Sequence, residues 1–212
     1  MRKNGEEMKK ELFVRLLYAL IGDIILALGA ALLIFASLGV DAFTVANLGA
    51  AGKLGWSLGV YQMTFGLVVG LIILLFKRHH LGYASIINIL LTGYFIDFFM
   101  FLFGSHSPEN IVVKVLIMLV ALLIYSLGIS LYSTSGLGAG PYDALAPVLS
   151  EITGWKFMNC RILVDSTFFI LGFFLGGPIG VASLLTAVFL GPLINIFNQT
   201  ITNPSLAKFL GK

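Results

Sequence analysis

Residues 111–133 read IVVKVLIMLVALLIYSLGISLYS, with Lys114 the single charge in the run. A helix needs about 20 apolar residues to cross the hydrocarbon core of a bilayer. The run is long enough, and it lacks the apolar/polar alternation of a barrel strand. It therefore reads as a spanning helix. Five further runs share its character, at residues 12–38, 58–76, 81–103, 157–175 and 179–199. Composition agrees: 58% of the 212 residues are hydrophobic and 11% are charged, against about 25% charged in an ordinary soluble domain. Mean hydropathy is +1.01. These values exclude a soluble globular enzyme, a disordered chain and a collagen-like fibre. The single cysteine excludes a disulfide framework and a cysteine-based zinc site.

Net charge is +3, and its distribution is a topology signal rather than a nucleic-acid footprint. With the amino end inside, the inside segments hold ten Lys and Arg residues, the outside segments hold Lys53 and Lys114, and Arg161 falls within a span. Both termini are then expected to be cytoplasmic. The first apolar run is too long for a signal-peptide core and reads as a retained helix.

The two halves of the chain match. Leu28-Gly29, Leu38-Gly39 and Gly55-Trp56 recur as Leu127-Gly128, Leu137-Gly138 and Gly154-Trp155, at a constant offset of 99. After one deletion, Gly82-Tyr83-Ala84-Ser85 pairs with Gly180-Val181-Ala182-Ser183, and Gly93 through Asp97 with Gly191 through Asn195, at 98. Each half holds three spans, so the second must enter the membrane from the opposite side. The expected fold is an all-α membrane protein of six transmembrane helices. They form two inverted three-helix repeats, each with an extra short interfacial or re-entrant helix. The expected division is 1–11 as a cytoplasmic amino-terminal segment, 12–103 as the first repeat and 104–110 as an external loop. The second repeat follows at 111–202 and a cytoplasmic tail at 203–212. Inverted repeats are frequent in transporters, with the site near the midplane.

The extra helices fall at 41–55 and 140–154, segments too apolar for ordinary loops. Before the second stands Gly136-Leu137-Gly138-Ala139-Gly140-Pro141-Tyr142-Asp143. Gly138 and Gly140 permit a tight turn and a close ligand approach. The helix start after them favours an anion or a polar group. The plainer reading is a turn into a helix that Asp143 caps. No phosphate-loop ending is present.

These residues, with Thr153-Gly154-Trp155, the run from Leu171 to Gly180 and Gly191-Pro192-Leu193-Ile194, make the chain resemble the YczE/YitT-type bacterial integral membrane proteins, closest to the YczE branch. The resemblance covers nearly everything past residue 12. It implies a bacterial cytoplasmic-membrane location and no settled substrate. Members carry a Ser-Pro-Trp-Asp-like sequence in the first half as well; here that place reads Asp41-Ala42-Phe43-Thr44, so the acid has moved or been lost and two equivalent acidic caps are not expected.

A charge at mid-bilayer costs about 2.5–3.5 kcal/mol on insertion scales, so each one suggests a use. At 1.5 Å per residue, Asp23 lies about 16 Å and Asp165 about 12 Å from the cytoplasmic side. Asp97 lies nearer the outside, and its repeat mate Asn195 nearer the inside. Arg161 and Asp165, four apart, share a helix face and can pair; the first-half positions matching them are Gln62 and Gly66. The candidate binding or coupling residues are thus Asp23, Gln62, Asp97, Gly138, Gly140, Asp143, Arg161, Asp165 and Asn195. Against Asp23, Gln62 and Asn195 stands the plain alternative of an interhelical hydrogen bond, against Arg161 snorkelling, against Asp165 a pairing with Arg161 alone, and against Gly138, Gly140 and Asp143 the capped turn already described. His79 and His80 follow Lys77-Arg78 and read as a solvated basic turn, and no His/Asp/Glu grouping has metal spacing in the sequence.

The expected function is a small-molecule transporter, or a transporter-like solute-binding protein, in contact with the lipid bilayer and an unknown small solute. No cofactor, no metal, no nucleic-acid partner and no enzymatic activity are expected. A homodimer is expected, because one 22.9 kDa chain frames a narrow path. The sequence leaves cation and anion equally open. The alternative is a non-transporting accessory or regulatory protein, disfavoured by the small cytoplasmic surface. A vitamin-capturing subunit of an energy-coupling transporter matches in its six spans, its length and Ala27-x-x-x-Ala31, but small residues at that spacing are common in membrane helices and the inverted repeat argues against it. No nucleophile–base pair supports an intramembrane enzyme.

Overall fold

The computed structural model describes residues 5–104 and 106–211. Among these residues the regular structure is entirely helical: α1 (Gly5–Ala36), α2 (Ala42–Leu54), α3 (Leu58–Lys77), α4 (Tyr83–Phe103), α5 (Ile111–Thr134), α6 (Pro141–Thr153), α7 (Phe157–Leu175), α8 (Val181–Phe197) and α9 (Asn203–Leu210). Six helical stretches are long and apolar enough to cross a membrane: α1, α3, α4, α5, α7 and the run from α8 into α9.

Helix limits follow local chemistry. Asp41 caps α2, accepting from the Thr44 N–H at 3.2 Å, and Ser57 caps α3 through Val60. Pro141 opens α6, where its missing N–H is not needed. Gly55, Gly154 and Gly176 close α2, α6 and α7 in the left-handed conformation. Two boundaries differ from expectation. α1 starts seven residues before the expected run, its first turn carrying Glu6 and Glu7 where the helix dipole favours acids. At the other end, α8 continues through a π-helical turn (Asn198–Thr202) into α9. The turn is held by a polar cluster on α5: Ser130 Oγ lies 2.6 Å from Asn198 Oδ1 and 2.9 Å from Thr202 Oγ1, and Thr134 joins it. α9 docks on α1 through a Tyr18–Ser205 hydrogen bond of 2.7 Å and the Tyr18–Phe209 ring contact.

α1 and α5 form the central pair, and the principal core lies around them, from Leu26, Ala30, Leu33 and Met118 to Tyr125. Their approach depends on two glycines. A Cβ on Gly29 would stand 2.4 Å from the Tyr125 backbone nitrogen, and a Cβ on Gly128 would stand 2.2 Å from that of Leu26. Residues 29 and 128, and 26 and 125, are partners at the offset of 99. The loops are reciprocal too. The Ala84 N–H donates to Leu137 O at 3.0 Å, and the Ala182 N–H to Leu38 O at 2.9 Å.

The outer helices are less even. α4 packs on α1 and α8 on α5, while α2 lies against α7 and α6 against α3. α3 packs closely on α4, but α7 makes no comparable contact with α8. The outward faces of these helices carry exposed Leu, Ile, Val and Phe, the surface a bilayer would cover.

Candidate functional site

A cavity opens where the first turns of α2 and α6 meet. About 80 Å³ of it is open to the centres of water molecules, room for several waters by that measure. Asp41, Phe43 and Thr44 come from the start of α2, Tyr142 and Asp143 from the start of α6. Gln62 and Phe65 stand on α3, Asn88 and Thr92 on α4, Tyr125 on α5, Arg161 and Asp165 on α7, Thr186 on α8. Phe43 and Tyr142, partners at the offset of 99, stack with ring centroids 4.6 Å apart. Phe168 meets the Tyr142 ring edge-on at 5.0 Å. The cavity is therefore apolar on one side and densely polar on the other.

The polar side centres on Arg161. Its Nη1 donates to Asp143 Oδ1 at 3.1 Å and its Nε to Asp165 at 3.2 Å. Its guanidinium carbon lies 5.1 Å from the centre of the Tyr142 ring, within cation–π range. The Tyr142 hydroxyl donates to Asp165 Oδ1. Arg161 thus faces the cavity rather than snorkelling away. Among the lining residues two buried acceptors are left over: Asp41 Oδ2 and Gln62 Oε1 have no hydrogen-bond partner within the described residues. Both residues are more than nine-tenths buried (7% and 6% exposed) and both line the cavity. The Tyr125 hydroxyl neighbours Asp41 without the geometry of a hydrogen bond to Oδ2. Asp41 lies between the spans; burial pushes its carboxyl above the usual range, opposed by the Thr44 and Tyr125 contacts. A buried acceptor without a donor costs about 1–3 kcal/mol, which a donor-bearing ligand or water would recover.

The nine sequence candidates separate into three groups. Gln62, Asp143, Arg161 and Asp165 line the cavity together. Asp23 stands one layer behind. It is fully buried, and its Oδ1 accepts from Thr92 Oγ1 at 2.5 Å and Asn88 Nδ2 at 3.1 Å, fixing two lining residues. Gly140, the residue before α6, lies against that same Asn88: a Cβ on it would stand 2.6 Å from Asn88 Oδ1. The rest are elsewhere. Gly138 has φ +106° and abuts Gly82, so it serves the crossing of the α5–α6 loop over the start of α4. Asn195 is exposed and accepts from Gln199 at 3.2 Å. Asp97 accepts the Gly59 N–H at 2.9 Å, holding the first turn of α3 to α4. Replacing Asp97 with Ala should cost about 0.5–2 kcal/mol, as loss of a helix cap does, and leave ligand affinity unchanged. Thermal unfolding beside a binding titration checks both halves of that statement.

Asp41, Phe43 and Tyr142 were not among the candidates. The signal for them was present: the offset of 99 sets Asp41-Ala42-Phe43-Thr44 against Gly140-Pro141-Tyr142-Asp143, so both short helices begin with an acid and an aromatic ring.

Known proteins match the chain over most of its length. A family described as a family of unknown function, DUF6198, matches residues 13–199. The uncharacterized membrane protein YczE of Bacillus subtilis is 32% identical over 88% of this chain and 86% of its own length. The uncharacterized protein YyaS of the same organism is 26% identical over 92% and 98%. An uncharacterized protein of Haemophilus influenzae is 28% identical over 84% and 80%. No solved structure matches the chain.

Proposed function

The chain belongs to the DUF6198 family, and from that premise we propose that it is a solute-binding membrane transporter with its site in the cavity between α2 and α6. The observation that carries this reading is the pair of unpartnered acceptors, Asp41 Oδ2 and Gln62 Oε1, inside an aromatic-walled cavity.

The transport frame is two inverted three-helix repeats. The reciprocal Gly29–Tyr125 and Gly128–Leu26 approaches, and the reciprocal loop hydrogen bonds, support a two-fold relation. The short helices support inversion and re-entry. Both start at the Phe43–Tyr142 stack. α2 then runs towards the carboxyl end of α7, where the Lys53 ammonium lies 3.3 Å from Phe174 O. α6 runs the other way, to Glu151, which pairs with Lys77 at 3.1 Å. Broken backbone at membrane depth is tolerated where it lines a cavity. Lys53 and Lys156 then sit at opposite ends of α7, with the richer set of cations at the Lys156 end, which is cytoplasmic by the positive-inside rule. Cysteines placed at 53 and 156 in a Cys160→Ser background should label from opposite sides of the membrane. Labelling from one side would overturn the inverted frame.

The solute is a small organic cation. Asp41, Asp143 and Asp165 bring three negative charges. Arg161 returns one, and the two helix starts about half a charge each, leaving an excess of about one negative charge. The unmet atoms are acceptors, and the aromatic wall suits a cation with an apolar body. An amine or guanidine with a few carbon atoms fits all three features. Proteoliposome uptake of radiolabelled methylammonium and guanidinium, beside acetate and glycerol, tests the reading under imposed pH gradients. Saturable uptake of the cations is expected. Flat uptake of all four probes at every gradient would overturn it.

A further inference from the structure

Away from the cavity, three potential metal ligands from distant parts of the chain converge. The 3-10 turn Arg78–His80 between α3 and α4 presents both imidazoles to Glu151 on the last turn of α6. His79 Nε2 and His80 Nε2 each lie 2.9 Å from Glu151 Oε1, and the three ligand atoms fall within 4.8 Å of one another. The rings stand 4.2 Å apart. His79 has hydrogen-bond geometry to the carboxylate, but the buried Nε2 of His80 has none to any group among the described residues. Proximity without a hydrogen bond is what two ligands aimed at a shared third point would show. The turn is also held in place, since His80 O accepts the Ala139 N–H at 3.1 Å.

We propose that His79, His80 and Glu151 form a binding site for a first-row divalent transition-metal ion such as zinc, fastening the α3–α4 turn to the end of α6. Zinc binds imidazole nitrogen and carboxylate oxygen at about 2.0–2.2 Å. Ligands at that range and at right angles are about 2.9 Å apart, and tetrahedral ones about 3.3 Å. The observed spacing needs only a small opening to admit the ion. Two nitrogens and one oxygen select zinc, cobalt or nickel over magnesium and calcium, which take oxygen ligands. Water completes the coordination, as the exposed side of the cluster allows. The Lys77 ammonium, 3.1 Å from Glu151 Oε2, holds the carboxylate while the metal is absent and competes with it.

That competition gives the site a signature that a plain ion-pair cluster lacks. Calorimetric titration of the tag-free full chain in detergent with zinc chloride should give one ion per chain, with no saturable heat from magnesium or calcium chloride. His79→Ala, His80→Ala and Glu151→Gln should each weaken zinc binding at least tenfold, and His106→Ala should leave it unchanged. Lys77→Met should strengthen it several-fold, a gain that misfolded protein cannot imitate. Binding well below one ion per chain would overturn the site. So would undiminished affinity in the His79→Ala/His80→Ala double variant, or a weaker Lys77→Met.

Discussion

Gly128→Val is expected to abolish recovery of folded protein. A Cβ at this position stands 2.2 Å from the backbone nitrogen of Leu26 and 2.5 Å from its Cα. Both obstacles are main chain, so no rotamer change relieves them. α5 would have to move away from α1 along the most extensive helix contact in the molecule. Overpacking costs about 1–3 kcal/mol when side chains can adjust, and more when they cannot. Net stability is commonly about 5–15 kcal/mol, so a shift of the central pair removes a large share of it. Gly191→Val is the control. It sits on a spanning helix too, but a Cβ there meets nothing within 4 Å, and the change should stay within about 0.5 kcal/mol. Size-exclusion recovery and thermal unfolding of the two variants measure the contrast. A Gly128→Val protein unfolding at the parent temperature would refute the packing argument.

Asp41→Asn is expected to reduce affinity for an organic cation at least tenfold, or about 1.4 kcal/mol. Of the three cavity acids, Asp143 and Asp165 share Arg161, while Asp41 keeps a buried oxygen that has no hydrogen-bond partner among the described residues. Removing its charge brings the cavity close to neutrality, so attraction for a cation drops while shape is kept. Burial raises the Asp41 carboxyl. The carboxylate, and with it cation binding, should therefore grow as pH rises through that raised value, and weaken as pH falls. The Asn variant should lose this part of the pH dependence. Titration with ethylammonium chloride across a pH series, parent beside variant, reads both effects. Equal affinities at all pH values would remove Asp41 from the site.

The six apolar runs were legible in the sequence because spanning length and continuous hydrophobicity are local properties. The part of the site on α7 was legible for a similar reason: Arg161 and Asp165 are neighbours by helical spacing alone. What the sequence concealed depends on which helix crosses which. Asp97 and Asp165 are both intramembrane acids at comparable cost, yet one meets the Gly59 amide at a helix seam and the other an arginine in a cavity. Asn195 occupies the position of Asp97 in the other half and faces outward. Glu151 stands 72 residues from His79, so two histidines that read as a solvated turn gain a carboxylate only in three dimensions. Asp41 is the instructive case, since the displaced acid falls on the cap of α2 and still reaches the cavity.

The seam between α3 and α4 is latched: Gly59 and Gly93 meet closely and Asp97 ties the start of α3 across the gap. The corresponding seam between α7 and α8 has no such fastening, and its walls reach the cavity through Asp165, Phe169 and Leu190. Fluctuations concentrate where fewest contacts must break. If the cavity takes up a solute as proposed, this looser seam is the wall that would yield first, and a guest resting at the bilayer surface would then enter from the side rather than from the water above.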